Sequence, residues 1–477
     1  MNTKLLKQKI LDLAIRGKLT DQRKSDGTAA DLLKQISEQK RESSSTLSSP
    51  RRRGSPSAQS EKTIIPLDKN EAPFEVPANW EWVRLGDVVL NRDAERKPVS
   101  KKDRNLHAQK IYDYYGAAGA IDKVEEYLFD EKLLLIGEDG ANLLSRSKPN
   151  AFLANGKYWV NNHAHVIDAI DKSMLDYLAF YINAISLDDF VTGTAQPKLN
   201  QENLNKIPIP LPPLAEQQRV VAKIEEAFAE IDAIEKNKEL LKTHIKQTRQ
   251  KILDLAIHGK LVPQNNSDEP ASVLLERITR DNPHYEKMED EPFEIPENWA
   301  WVRINDIASD MADGPFGSNL KAEHYTDKKE ARIIQLSNIA ENGWKDENVR
   351  YTTFEHAKKN ISRSIVEAGN LVIAKMMPAG RAMICPSTEK MYVLSSDAVK
   401  LVPVDEINNQ FLCYAINSPY FKAQVNGNIQ GTTRLRTSIS KLRECLLALP
   451  PLAEQARIVA KIEELFSTLD QMERNLI

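Results

Sequence analysis

The sequence predicts a multidomain α+β fold. Two mixed α/β blocks are separated by two long antiparallel, coiled-coil-like helices, in a pseudo-two-fold arrangement with adjacent termini. Three repeats predict it. Lys9–Leu19 (KILDLAIRGKL) recurs 242 residues on at Lys251–Leu261, differing only at Arg16 against His258. Pro73–Asp87 (PFEVPANWEWVRLGD) recurs 219 residues on at Pro292–Asp306. Leu211–Asp232 (LPPLAEQQRVVAKIEEAFAEID) recurs 238 residues on at Leu449–Asp470. Carried into the frame of the central copy by these offsets, Ile477 falls at 239 and Met1 at 243. Two half-segments at the ends of the chain therefore rebuild what the middle makes continuously, as in a closed, internally repeated molecule.

The elements follow in order. Residues 1–22 form the N-terminal half of the repeated helical region. Residues 23–73 read as a linker whose stretch 43–60 (SSSTLSSPRRRGSPSAQS) is of low complexity and expected to be disordered. Arg51, Arg52 and Arg53 within it suit either phosphate contact or simple solubilisation. The first block spans 74–210. Its opening tryptophans, Trp80 and Trp82, and their counterparts Trp299 and Trp301, are expected to anchor each block on its helix by packing rather than to stack on bases.

The segment 211–262 predicts one long helix. Pro212 and Pro213 suit its start, and neither Pro nor Gly recurs before Gly259, which is placed to cap its end. Val221, Ile224, Phe228, Ile231 and Ile234, then Leu241, Ile245, Thr248, Ile252 and Leu255, form an apolar seam at steps of three and four. About 45 residues rise ~70 Å, too long for the stripe to bury on itself. The predicted partner is the copy assembled from 451–477 and 3–16, lying antiparallel. An amphipathic helix on a globular core and a homodimeric coiled coil are the alternatives. Residues 263–291 read as a linker, 292–448 as the second block, and 449–477 as the C-terminal half of the helical region. Between their shared ends the blocks diverge. Short β-branched runs punctuated by Gly, with helical stretches such as Met174–Ile185, indicate mixed α/β modules.

Composition narrows the class. A chain of 477 residues exceeds a single core. No apolar run approaches the ~20 residues of a membrane span, and the N-terminus lacks the apolar centre of a signal peptide, so a cytoplasmic protein is expected. Three scattered cysteines (Cys385, Cys413, Cys445) without a CxxC pair argue against a disulfide framework or structural zinc. The net charge of −3 argues mildly against nucleic acid, but local runs matter more. Arg92–Lys110 carries seven Lys/Arg against three acids, and Gly431–Arg443 carries Arg434, Arg436, Lys441 and Arg443 with none. Either run alone reads as a solvated face or as a phosphate-binding one.

Signatures of catalysis are missing: GxxxxGK(S/T), GxSxG and HExxH do not occur. Asn282-Pro283-His284-Tyr285 only superficially resembles a methyltransferase Asn-Pro-Pro-Tyr motif and is read as loop. His163 and His165 would face one way on a strand, but no carboxylate or cysteine cluster in the sequence supports a metal there, and a structural or base-contacting role fits better. Glu138-Asp139-Gly140 reads as a turn after a strand rather than a paired-carboxylate site.

The repeated LPPLAEQ helix, the repeated KILDLAI(R/H)GKL and two divergent blocks, each closed by a Gly-Thr loop (Gly193-Thr194, Gly431-Thr432), resemble the DNA-specificity subunit of type I restriction–modification systems. The resemblance covers almost the whole chain. It implies that each block is a target-recognition domain reading one half of a bipartite duplex DNA site. The long helices would set the half-site spacing, lengthened by insertions within 235–245, and dock two adenine-N6 methyltransferase subunits. A motor-nuclease subunit would join, with no membrane partner. It also implies no catalytic residues, metal or cofactor in this chain; S-adenosylmethionine, ATP and Mg would belong to partner subunits. A pseudo-dyad suits such a target, with base edges read by Asn, Gln and Arg and phosphates held by Lys and Arg. The candidate contacts in block one are Tyr114, Asn142, Asn161, Asn162, His163, Gln196 and Lys198, with Arg96, Lys101 and Lys102 on phosphates. In block two they are Phe316, Ser318, Asn319, Lys375, Arg434 and Arg436. The competing readings are a helical interaction scaffold without DNA specificity, and a stand-alone DNA-modifying enzyme.

Overall fold

The computed structural model describes residues 2–46, 64–68, 70–106, 109–193, 195–280, 285, 288, 291–341, 343–427 and 436–476. The chain divides into two compact units, Met1–Asn237 and Lys238–Ile477. Each unit is a complete copy of the same plan.

In the first unit, α1 (Thr3–Ile15) and α2 (Ala29–Thr46) precede the block, and α8 (Leu214–Ile257) follows it. Between them run β1 (Glu81–Arg84), α3 (Leu85–Val88), β2 (Leu90–Asn91), α4 (Lys101–Leu106), β3 (Tyr112–Gly116), β4 (Gly119–Val124), β5 (Phe129–Asp130), β6 (Leu133–Gly137), α5 (Asn142–Ser145), β7 (Ala151–Ala154), β8 (Lys157–Val160), β9 (Ala164–Asp168), α6 (Met174–Ala184), α7 (Gln201–Lys206) and β10 (Pro208–Leu211). In the second unit the order is α9 (Ala271–Thr279), β11 (Ala300–Arg303), β12 (Ala308–Asp313), β13 (Tyr325–Thr326), β14 (Ala331–Ile334), β15 (Ile339–Ala340), β16 (Gly343–Trp344), β17 (Tyr351–Thr352), α10 (Phe354–Asn360), β18 (Ile365–Val366), β19 (Leu371–Ala374), β20 (Ala382–Ile384), β21 (Tyr392–Leu394), β22 (Ala398–Pro403), α11 (Asn409–Ile416), α12 (Pro419–Gly427), α13 (Ile439–Arg443), β23 (Leu446–Leu449) and α14 (Leu452–Arg474).

The blocks diverge in sequence but share sheet topology. A four-stranded sheet runs β2-β9-β6-β7 in one and β12-β22-β19-β20 in the other. A second sheet pairs β3 parallel to β8 in one and β14 parallel to β21 in the other. The ends of each block close as an antiparallel pair, β1 with β10 and β11 with β23.

The repeated motifs build the same joint twice. Gln217 folds its amide back onto the Pro212 carbonyl at 2.9 Å, and Gln455 onto Pro450 at 3.0 Å, fixing the helix start after the two prolines. The preceding glutamate is buried and accepts from tryptophan: Trp80 Nε1 to Glu216 and Trp299 Nε1 to Glu454, both 2.9 Å. Gln22 and Gln264 donate to the same two carboxylates at 2.6 Å. The expected anchoring role of Trp80 and Trp299 is thus met by a hydrogen bond as well as by packing. Burial pushes the Glu454 carboxyl up from the ordinary carboxylate range.

The KILDLAI helices end in paired Schellman caps. Gly17 and Gly259 both sit at φ +65°, with Lys18 N–H on the Leu13 carbonyl at 2.8 Å and Lys260 N–H on Leu255 at 2.9 Å. The side chains also leave no room there. A Cβ at Gly17 would meet Pro77 Cγ at 2.4 Å, and one at Gly259 would meet Pro296 Cγ at 2.3 Å.

The α8 helix has 44 residues, ~66 Å of rise. Within the first unit, α1 lies antiparallel to its start: Thr3 bonds Glu235, and Lys7 bonds Asp232 and covers the Phe228 ring. Within the second unit, α14 lies antiparallel to its end, with Arg249 bonded to Asp470 and covering Phe466. Lys7 and Arg249 are equivalent by the 242-residue offset, as Phe228 and Phe466 are by 238. The seam differs from expectation in the middle. Ile224, Ile231, Ile245 and Ile252 are buried, but Ile234, Leu241 and Thr248 are exposed, so the stripe is two short seams, one per unit.

The linkers are shorter than expected. Residues 23–73 contain α2 and 263–291 contain α9, whose Leu32, Leu33 and Ile36, and Leu274 and Leu275, are buried in the unit cores. Ala29 N–H bonds the Asn79 carbonyl and Ala271 N–H that of Asn298, so these helices are another repeat. Residues 43–46 close α2 rather than belonging to a structureless stretch. The remainder of 43–60, Arg51–Arg53 included, lies outside the described residues, as do 282–284 of the Asn-Pro-His-Tyr segment. The three cysteines are buried and free, with burial pushing their thiols up to about 12, 12 and 11 for Cys385, Cys413 and Cys445. Among the described residues no helix is long and apolar enough to cross a membrane.

Candidate nucleic-acid interface

In the first unit, the loops that leave the two sheets at one end are bonded into a single cluster. Gly137 ends β6 because the Ala117 carbonyl passes where its Cβ would stand, at 2.7 Å. Glu138 N–H then bonds the His163 carbonyl at 2.9 Å, Leu199 N–H bonds the Glu138 carbonyl at 2.8 Å, and Gly140 N–H bonds Pro197 at 3.0 Å. Turns from β6, β8–β9 and the Gly193 loop thereby meet. They present Asn162, His163, Gln196 and Lys198 together, four of the contact residues expected from the sequence. Asn162 and Gln196 are exposed. His163 is 49% exposed with Nδ1 on Asp139 at 2.8 Å, and Lys198 is 53% exposed with Nζ 3.2 Å from Glu138. Lys101 and Lys102 are exposed at the start of α4.

Beneath these loops lies a buried ionic network. His165 places Nδ1 2.6 Å from Asp93 and Nε2 2.8 Å from the Leu199 carbonyl. Arg96 donates to Glu138 at 2.6 Å and to the Ala164 carbonyl at 2.8 Å, with Asp93 at 3.3 Å. Burial pushes both carboxyls up. His165 and Arg96 outweigh it and hold Asp93 and Glu138 below the ordinary range. Asp93, Glu138 and His165 group their polar atoms as metal ligands would. The Arg96 guanidinium bridges the two carboxylates and Lys198 lies 3.2 Å from Glu138, so protein cations already occupy the cluster.

Four candidates of block one therefore change role. Arg96 is 13% exposed and committed to this network rather than free for phosphate. Tyr114 is core, with its hydroxyl closed on the Val99 backbone and its ring under Arg104. Asn161 is buried and its side-chain oxygen accepts from His163 N–H. Asn142 spends its amide on Lys148 and Asn150 and its oxygen on Ser147 and Lys148, clamping a turn.

The second unit repeats four of the cluster's backbone links. Ser395 N–H bonds Ile334 at 2.9 Å, as Asn161 N–H bonds Tyr115 at 3.1 Å. Lys375 N–H bonds the Asp397 carbonyl at 2.8 Å and Thr437 N–H bonds the Lys375 carbonyl at 3.0 Å. The bridge between Met376 and Arg436 matches that between Asp139 and Lys198. Lys375 thus stands where the first unit has Glu138, with inverted charge. It is a further correction, since Lys375 is buried and its Nζ bonds Asp313 at 2.5 Å. Phe316, 84% exposed, and the exposed Ser318 and Asn319 lie on the loop after β12, whose Gly314 N–H bonds the Ala398 carbonyl at 2.9 Å. Arg436 is exposed. Arg434, Thr194 and Gly431-Thr432 lie outside the described residues.

The equivalence exposes residues that sequence reasoning passed over. Gln335 and Ser337 follow β14 where the first unit has the turn after β3, and Ser396 and Asp397 occupy the positions of Asn162 and His163. No sequence similarity marks them, and only the shared sheet order aligns these loops.

The family model for the type I restriction modification DNA specificity domain matches residues 77–243 and 296–477, well over half of the chain. The chain belongs to the type I restriction–modification DNA specificity family. Two curated members extend the match over nearly the full length. The EcoEI specificity subunit of Escherichia coli is 23% identical, over 99% of this chain and 90% of that subunit. The EcoAI specificity subunit of Escherichia coli is 25% identical, over 98% and 90%. A solved chain from work on complex assembly and conformational transition of the type I R-M system aligns with a TM-score of 0.53 at 19% identity. It covers 85% of this chain and 94% of that one, and bears on the fold. Specificity subunits of this family carry DNA sequence specificity, are non-catalytic and assemble with the other restriction–modification subunits, in which catalysis resides.

Proposed function

We propose that each unit of this specificity subunit reads one half of a bipartite duplex DNA target, and that the chain directs adenine-N6 methyltransferase subunits, two per complex, and a motor-nuclease subunit to it. The supporting observation is that one loop cluster is built twice, on four matching backbone links, from unlike side chains. A shared frame with different exposed groups is what reading two different half-sites requires. Asn162, His163, Gln196 and Lys198 would face one half-site. Phe316, Ser318, Asn319 and Arg436 would face the other, and Lys101 and Lys102 of the first unit would hold phosphates beside the first. The uninterrupted α8 would set the gap between half-sites. S-adenosylmethionine, ATP and Mg would be bound by the partner subunits.

The test is co-expression with the partner methyltransferase and mapping of methylated adenines by single-molecule sequencing. A two-part motif with a fixed unspecified gap is expected. No methylation, or a short continuous motif, would overturn the bipartite reading.

A further inference from the structure

Within the second unit, the loops after β12, β14 and β21 enclose a hollow of about 270 Å³. Its walls include Leu320, Gln335, Ser337, Ser395, Ser396 and Asp397. The wall is tightly held. A Cβ on Gly314 would meet the Ser395 carbonyl oxygen at 1.7 Å, so this loop crosses directly over β21's exit and admits only glycine there. Its polar groups are incompletely used. The Ser395 hydroxyl is buried without a hydrogen-bond partner. The Ser337 hydroxyl accepts from Asn348 at 3.1 Å, which leaves its own proton to donate. Among the described residues, Asp397 receives only a long contact from Ser396 Oγ, 3.4 Å, on its carboxylate. Among the described residues no cation lies within ion-pair distance of it, because the nearest backbone neighbour, Lys375, sends its ammonium to Asp313.

A carboxylate without a counter-ion is an unusual group for a DNA-binding face. Phosphate repels it, and neutralising phosphate is what drives non-specific affinity. One arrangement converts that repulsion into selectivity. A carboxylate oxygen accepts from the amino group of a base, which a phosphate or a base keto group cannot supply. Building on the reading of each unit as a half-site reader, we propose that Asp397 is a specificity-determining residue. Its carboxylate accepts from an exocyclic amino group, N4 of cytosine or N6 of adenine, in the half-site of the second unit. Phe316, 84% exposed on the loop whose Leu320 lines the hollow, gives the apolar contact to the neighbouring base. The equivalent position in the first unit is His163, an imidazole braced by Asp139, so the two half-sites differ at this point.

The experiment uses the full chain in complex with its methyltransferase, wild type and Asp397→Ala, which removes the acceptor as well as the charge. The wild-type methylation map supplies the motif and the duplex probes. One probe is cognate. In the other the half-site of the second unit is scrambled. Affinities are read by fluorescence anisotropy. Asp397→Ala is expected to weaken cognate binding about tenfold or more while leaving the scrambled duplex unchanged or bound more tightly, because a negative charge is gone. The map should relax or switch at one cytosine or adenine position of that half-site only, and the identity of that position says which base supplies the amino group. Equal weakening on both duplexes would mean a structural role. No change on either would remove Asp397 from recognition. Both results overturn the proposal. A wild-type map without a two-part motif would instead overturn the half-site reading on which it rests.

Discussion

Replacing Gly17 by alanine tests the physical account of the repeated joint. Two terms add. A left-handed backbone at φ +65° costs an alanine about 1 kcal/mol relative to glycine. The new Cβ would also lie 2.4 Å from Pro77 Cγ, 2.6 Å from Pro77 Cδ and 3.2 Å from Trp80 Cζ2. A proline ring cannot swing aside, and the segment it heads carries the indole that donates to the buried Glu216. Relief must therefore shift that segment, an overpacking term of about 1–3 kcal/mol. The expected destabilisation is about 2–4 kcal/mol. Gly156 is the control in the same unit. Its φ is +74° and nothing lies within 4 Å of its Cβ, so Gly156→Ala should lose only about 1 kcal/mol. Urea titration read by hydrogen exchange of peptides covering 77–88 isolates the first unit, and the shift in midpoint at common slope gives the difference. If Gly17→Ala lost no more than Gly156→Ala, the packing argument would be refuted. Gly259→Ala, with Pro296 Cγ at 2.3 Å, should repeat the result in the second unit.

The remaining predictions are as specific. Glu454 has its folded carboxyl raised by burial, so its contribution to stability falls as pH rises from the ordinary glutamate value, about 4.5, through the folded one. Glu454→Gln, which can still accept from Trp299, should flatten the melting temperature of the second unit over that window, and an unchanged pH slope would refute the assignment. Arg96→Ala strips the shared cation from Asp93 and Glu138 and should destabilise the first unit by about 3–5 kcal/mol. Lys101→Ala, at an exposed position, should leave thermal unfolding unchanged and reduce the salt dependence of DNA binding by about one unit of slope. Arg436→Ala should weaken binding only at the half-site of the second unit, measured with duplexes mutated in one half-site at a time. Equal loss on both would make it a phosphate contact.

The repeats alone determined the architecture that matters most: two equivalent units, a long uninterrupted helix, antiparallel pairing with segments from both ends of the chain, and tryptophan anchoring beside the PPLAEQ start. Those features were readable because each depends on a motif of adjacent residues, and a motif that occurs twice must satisfy the same contacts twice. Short helices were harder. Neither α2 nor α9 is legible in the sequence, because their few buried leucines lie in segments that otherwise look polar and linker-like. The spacing predicts a continuous α8 seam because it reveals which face is apolar and says nothing about where its covering partner ends. The recognition surface depended most on tertiary structure. Asn142 and Asn162 are the same residue type in similar loops, but one has its hydrogen-bonding groups consumed by a turn and the other faces solvent. Arg96 and Lys375 look like phosphate ligands until the carboxylates that pair with them are seen. Asp397 finds its counterpart in His163 only through the order of strands. Loops distant along the chain become neighbours because the sheets bring their ends together, and whether a polar side chain is free to read DNA is fixed by bonds to partners that local sequence does not name.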